Sequence, residues 1–251
     1  MAYRMTIPRE RIEQLNDPYW TSSLQKNISR NWWGPDSHAI FYPLRNKTVW
    51  NLVLLRPDDL PADTMTATAD VTEMKKCFER WDPKLKMLLK CVDSCLKWKI
   101  CHMPELETWT KDSVALLGDA CHPTLPYQAQ GAAMAVEDGA ALGILIGSLS
   151  QSTLEDRKAY VPKVLRLYEA MRKRRTTTNV QGAIENRQLF QMADEGEVEI
   201  RNKELLDADL MDINKKCRWG YADLSYQKRL MGFDTIKDAR EQFENWIRNV
   251  Q

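Results

Sequence analysis

The chain has 251 residues, 43% of them hydrophobic and 28% charged, with a formal net charge of +1. That length and apolar content can bury a sizeable core. The near-neutral balance removes the general electrostatic ground for a nucleic-acid or anionic-membrane partner.

Residues 1–60 read as sheet. The stretches MAYRMTI and HAIFYPL alternate, and TVWNLVLL is rich in β-branched and aromatic residues. The RNK turn at Arg45 to Lys47 is placed to join the second and third strands as an antiparallel hairpin. His38, Ile40 and Tyr42 then share one face, and Ala39 and Phe41 the other. Residues 57–70 are a polar connection. Helical spacing runs from Val71 to Lys97, broken at Asp82-Pro83, where Asp82 is set to cap and Pro83 to open the next helix. Leu85, Leu88, Leu89 and Val92 fall on one face of that second helix.

SVALLGD, Ser113 to Asp119, reads as a short buried strand. A helix from about Gln130 to Leu149 follows, then a long helical segment from Val161 to Phe190. A polar segment around RWGYADLSY and an amphipathic last helix, IKDAREQFENWIRNV, complete the chain.

Met1-Ala2-Tyr3-Arg4 leads into polar sequence with no apolar signal-peptide region, so a cytoplasmic protein is expected. The longest apolar run, Gly139 to Leu149, is too short to span a bilayer. Six cysteines, at 77, 91, 95, 101, 121 and 217, lack CxxC spacing, and no disulfide framework is expected. Cys91 and Cys95, four apart on one helical face, read as buried thiols rather than as zinc ligands with Cys101 and His102; no metal is expected. The run Arg172-Lys173-Arg174-Arg175 reads as a solvated helix face. Nine tryptophans, six of them between Trp20 and Trp98, suit an aromatic core and also a pocket for a flat organic molecule.

The chemistry concentrates at LLGDACHPTLPYQAQGAAMAVEDGAALG, Leu116 to Gly143. Gly118 lets the backbone approach a ligand where a Cβ would clash. Asp119, at a strand end, offers a carboxylate to hydroxyls such as those of a sugar or ribityl chain. Pro123 and Pro126 stiffen the loop. Unpaired N–H groups near Gly131, Ala132 and Ala133, with the positive end of the helix dipole behind them, suit an anionic ring edge.

This string closely resembles the second FAD motif of the group A flavin-dependent aromatic hydroxylases, the salicylate hydroxylase-like monooxygenases. NWWGPDSHAIFYPLRNKTVWNLVLL is similar to that family's substrate-domain hairpin, FERWDPKLKMLL to its following helices, and LYEAMRKRRTTTNVQGAI to its long helix after the flavin motif. The resemblance covers roughly residues 1–220. It implies an α+β fold: an antiparallel substrate-domain sheet with helices over 1–110, the flavin strand–loop–helix over 111–150 and a helical region over 151–251.

By position it implies that Asp119 binds the FAD ribityl chain and that Pro126 sits over the reacting edge of the flavin. Gly131, Ala132 and Ala133 would contact the pyrimidine edge. FAD reduced by NAD(P)H would then activate oxygen to hydroxylate an aromatic or polyketide-type molecule, the cofactor carrying the chemistry and the protein positioning it. Cys121 stands where the family commonly has Ala, and His102-Met103 where an Asp-Arg pair is usual.

No GxGxxG occurs among the ten glycines. Gly139, Gly143 and Gly147 have helix-packing spacing instead. The family's N-terminal βαβ unit, which cradles the FAD pyrophosphate, is therefore missing, and Met1 aligns with the first strand of the substrate domain. An orphan sheet edge and exposed apolar surface are expected, to be covered in a homodimer or by an N-terminal FAD-binding chain. Two alternatives keep the pocket without the redox chemistry. One is a cofactor-free isomerase, cyclase or dehydratase with His38, Tyr42, His122 and Tyr127 as acid–base candidates. The other is a non-catalytic binding or scaffold protein.

Overall fold

The first strand of the chain lies inside a sheet, between one strand from its own alternating region and a short one from far later in the chain. In the computed structural model, which describes residues 1–209 and 211–250, β1 (Ala2–Pro8) leads into two short helices, α1 (Arg9–Glu13) and α2 (Pro18–Leu24). Then come β2 (Arg30–Gly34), β3 (Ser37–Leu44), β4 (Val49–Leu55) and β5 (Thr66–Thr68). Helices α3 (Val71–Cys77) and α4 (Pro83–Lys90) precede β6 (Leu96–Trp98). The six strands form one antiparallel sheet in the order β2-β3-β4-β1-β6-β5.

The chain divides into two compact units, Met1–Ile100 with Phe190–Glu199, and Cys101–Leu189 with Ile200–Gln251. The divisions drawn from the sequence at 110 and 150 both fall inside the second unit.

In the first unit, Ala39 and Phe41 face a core that also takes Trp20, Trp50, Leu52, Leu85 and Leu88. Phe41 stacks on Trp50 at 4.7 Å between ring centres, and truncating such a ring costs about 3–5 kcal/mol. The Arg45–Lys47 turn joins β3 to β4 as expected. The Asp82 side chain accepts from the Lys84 N–H at 2.6 Å, with Pro83 opening α4.

Three sequence expectations need correction here. Residues 1–60 are not all sheet: Asp17 accepts from the Trp20 N–H and Pro18 opens α2, a local cap that overrides the surrounding strand pattern. The helix expected to run to Lys97 ends at Lys90, and Leu96–Trp98 pairs with both β1 and β5. Ladder pairing decides so short a segment. Cys91 therefore caps α4 and Cys95 lies beyond it, so the two share no helical face, although both are buried free thiols.

The second unit opens with the hairpin β7 (Thr110–Lys111) and β8 (Val114–Ala115). The buried strand expected over Ser113–Asp119 is this two-residue β8, with Val114 66% exposed and Leu116 and Leu117 also exposed. Its only ladder among the described residues is the hairpin, so there is no sheet to bury it. Helices α5 (Gly131–Gln151), α6 (Arg157–Phe190), α8 (Leu224–Met231) and α9 (Thr235–Arg248) belong to this unit, and α7 (Glu195–Asp207), which starts in the first, joins it from Ile200. The Asp234 side chain caps α9, whose Ala239 and Phe243 meet Ala141, Leu145 and Leu149 of α5 and Val164 and Tyr168 of α6 in one core.

At 21 residues α5 is longer than its central apolar run, and among the described residues it is the one helix long and apolar enough to cross a membrane. Its inner stripe is taken up by this protein core, and it carries the fully buried Asp138.

Gly182 of α6 sits where the Gln128 amide donates to the Tyr226 hydroxyl, and a Cβ at 182 would overlap both groups. Alanine in a helix normally stabilises by about 1 kcal/mol over glycine. At this position Gly182→Ala is expected to destabilise by about 1–3 kcal/mol through overpacking. A thermal melt followed by circular dichroism checks this; an unchanged or raised Tm contradicts the contact.

Candidate functional site

The turn after β8 is shaped by one glycine and one buried carboxylate. Gly118 has φ +58°, and a Cβ there would lie 3.1 Å from the Ala135 Cβ of α5. The close approach that demands glycine is thus made to the protein's own helix. The Gly118 N–H donates to Asp138 Oδ2 at 2.9 Å, and its carbonyl accepts from the Cys121 and His122 N–H groups at 3.0 Å each. His122 Nε2 lies 2.6 Å from the same Oδ2.

The other Asp138 oxygen, Oδ1, accepts from Arg172 Nε at 2.7 Å. Arg172 also donates to Glu137 at 2.7 Å, and Glu137 takes a two-pronged contact from Arg175 at 2.7 and 2.8 Å. The side chains of Asp138 and Arg172 are 0% exposed. Burial pushes the Asp138 carboxyl up, but hydrogen bonds from His122, the Gly118 N–H and Arg172 outweigh it and hold the group below its ordinary value.

The opposite side of the turn is open. Asp119, Pro126, Ala132 and Ala133 are exposed and Gly131 half-buried. The N-cap of α5, Gln130, makes no side-chain capping bond, and the first turn carries no acidic residue. The leading N–H groups and the positive end of the helix dipole therefore face outward with small residues around them. Added Cβ atoms at Gly139 and Gly143 would meet nothing within 4 Å. At the start itself an added Cβ on Gly131 would lie 3.2 Å from Thr124 Cγ2. An outward carboxylate beside an uncapped helix start of small residues fits the ribityl and ring half of a flavin, which offers hydroxyls to the one and electron-rich acceptors to the other.

The four acid–base candidates divide between the units. On β3, Tyr42 is half-buried and His38 is 3% exposed. Burial pushes the His38 pKa down to about 4, and its ring lies by Phe190, with Nδ1 3.1 Å from Gln191 Nε2. In the second unit His122 is buried on Asp138, while half-buried Tyr127 accepts from Asn186 through its carbonyl.

Cys121, His122 and Asp138 bring ligand-type atoms within 4.8 Å of one another. The Arg172 guanidinium on that carboxylate opposes a cation, and burial, followed by the Asp138 charge, pushes the Cys121 thiol up to about 12.

Residues 16–183 match the model of the FAD binding domain family. The chain belongs to this FAD binding domain family. It is 36% identical over 241 residues to the FAD-dependent monooxygenase OpS4 of Beauveria bassiana (strain ARSEF 2860), covering 95% of this chain and 54% of that one. It is 32% identical over 154 residues to the 3-hydroxybenzoate 6-hydroxylase of Polaromonas naphthalenivorans (strain CJ2), covering 61% and 36%. The fold is similar to that of salicylate hydroxylase in a substrate complex, with a TM-score of 0.74 at 22% identity over 96% of this chain and 56% of that one. The chain spans about half or less of the length of these curated relatives.

The buried charge network of this flavin-monooxygenase fold escaped the sequence reading. Arg172 to Arg175 is not a solvated face: successive helix residues turn by about 100°, so the run points in four directions. Arg172 is buried on Asp138, Lys173 donates to the Leu106 and Glu107 carbonyls, Arg175 holds Glu137, and Arg174 is exposed. The available signal was Glu137-Asp138 set inside an otherwise apolar helix, which calls for cationic partners elsewhere in the chain.

Two outcomes follow. Arg172→Met is expected to cost about 3–5 kcal/mol in denaturant unfolding by stranding a buried carboxylate, and Asp138→Leu in the same chain to recover part of it; additive losses contradict the pairing. His38 is neutral when folded, so its stabilisation is complete above its unfolded value of 6.5 and is lost as pH falls through about 4. His38→Gln should flatten the stability–pH profile between those limits.

Proposed function

We propose that this chain supplies the flavin-ring and substrate side of an FAD-dependent monooxygenase that hydroxylates an aromatic or polyketide-type molecule. The observation that carries this reading is the turn from Gly118 to Ala133, locked from beneath by Asp138 and presenting Asp119 and an uncapped helix start outward. When bound, FAD supplies oxygen activation, with NAD(P)H as its reductant. The Asp119 carboxylate accepts hydrogen bonds from the ribityl hydroxyls. The leading α5 amides at Gly131, Ala132 and Ala133 donate to the pyrimidine edge, and Pro126 shapes the approach to the reacting edge. Asp138, His122 and Arg172, buried on one another, hold the loop so that those donors and acceptors stay in place.

This sequence holds no GxGxxG, so in this reading the pyrophosphate and adenine contacts come from residues beyond these 251. The exposed Val114, Leu116, Leu117, Val136 and Ile146 support a covering surface, either an N-terminal FAD-binding polypeptide or a second copy of the chain. A cytoplasmic setting agrees with six free thiols.

Riboflavin and FAD titrations by fluorescence quenching test the division of contacts. Because the chain meets only the half they share, it should bind both with affinities within about threefold. Asp119→Ala should weaken both about tenfold or more, the cost of losing charge-assisted hydrogen bonds. Absence of quenching by either flavin overturns the flavin role, and much tighter FAD binding overturns the proposed division.

A further inference from the structure

One groove of the helical unit takes no part in the flavin turn. It runs along α6, bordered by α8 and the start of α9, with a volume of about 780 Å3, a size typical of small-ligand clefts. Met171, Arg174, Arg175, Thr178 and Asn179 line it at helical spacing, so they form one face of α6. Leu230 and Phe233 add an apolar wall.

The polar groups there are mostly donors. Lys173 and Arg175 are engaged by Glu105 and Glu137, whereas Arg174, between them in sequence, forms no ion pair among the described residues. Lys228 and Arg229 line the groove on the α8 side, while its one lining carboxylate, Asp238, already accepts from Gln242. Asn179 is 4% exposed, and its buried Nδ2 has no hydrogen-bond partner among the described residues. A buried donor without an acceptor is costly, and a ligand oxygen would remove that cost.

We propose that this groove binds a small amphipathic carboxylate. Its anionic head lies between the Arg174 guanidinium and Asn179 Nδ2, and its apolar body rests against Met171, Leu230 and Phe233. The carboxylate supplies the acceptor that Asn179 lacks and the counter-charge that Arg174 lacks. The site is separate from the flavin turn and stands whether or not that turn holds a flavin.

Calorimetric titration of the 251-residue chain with 1-naphthoate and the neutral 1-naphthamide tests it. Naphthoate should bind at least tenfold tighter than the amide. Arg174→Gln, at an exposed position that leaves the fold intact, should remove that preference, and Asn179→Ala should weaken naphthoate where circular dichroism shows a folded chain. Excess riboflavin should leave naphthoate binding unchanged. No naphthoate binding, equal affinity for the two probes, binding indifferent to Arg174→Gln or to a folded Asn179→Ala, or displacement by riboflavin would each overturn the assignment.

Discussion

A carboxylate with no access to water can stay ionised only where the fold brings donors to both of its oxygens, and Asp138 sets that condition for the helical unit. One oxygen takes the Gly118 N–H and His122; the other takes Arg172. These partners come from the turn, from its following loop and from a helix 34 residues further on. The charge ties α5, α6 and the loop to one arrangement, because losing any partner leaves a buried group unsatisfied. The Tyr168 hydroxyl on the Leu116 carbonyl adds a second tie between α6 and the residues entering the turn.

The same carboxylate separates the two sides of the turn. Everything that fixes the loop lies beneath it: the left-handed Gly118 packed on Ala135, the buried Cys121 thiol and the His122 ring against Trp109. Above it the chain leaves small side chains, an exposed carboxylate and a helix start without a side-chain cap. A helix N-terminus left uncapped and open forgoes part of its own stability. Its donors are then already oriented toward an electron-rich ligand, and binding need not reorganise them. In this design the rigid and the receptive parts of the site are different residues.

Much of the architecture was legible because local rules and tertiary needs agree. The alternation in HAIFYPL and TVWNLVLL, the Arg45–Lys47 turn and the Asp82-Pro83 helix start each carry their own physical signature. Reading failed where partners decide. Leu96–Trp98 is a strand because two strands flank it, and Ser113–Asp119 is barely one because none of the described strands does beyond its hairpin. The site was half legible in the same sense. Glycine, proline and small residues at Leu116–Gly143 mark an open helix start in sequence. The Asp138–Arg172 pair spans elements whose neighbourhood only the fold reveals, and the basic run at Arg172–Arg175 hides it among exposed neighbours.

Amide hydrogen exchange at Gly118 tests the dependence of this turn on Asp138 most directly. Its neighbours Leu117 and Asp119 are exposed, while the Gly118 N–H is buried on a carboxylate oxygen. The Gly118 amide is expected to exchange with the slow core amides of α5, well behind those of Leu117 and Asp119. Exchange as fast as at those two neighbours would contradict it.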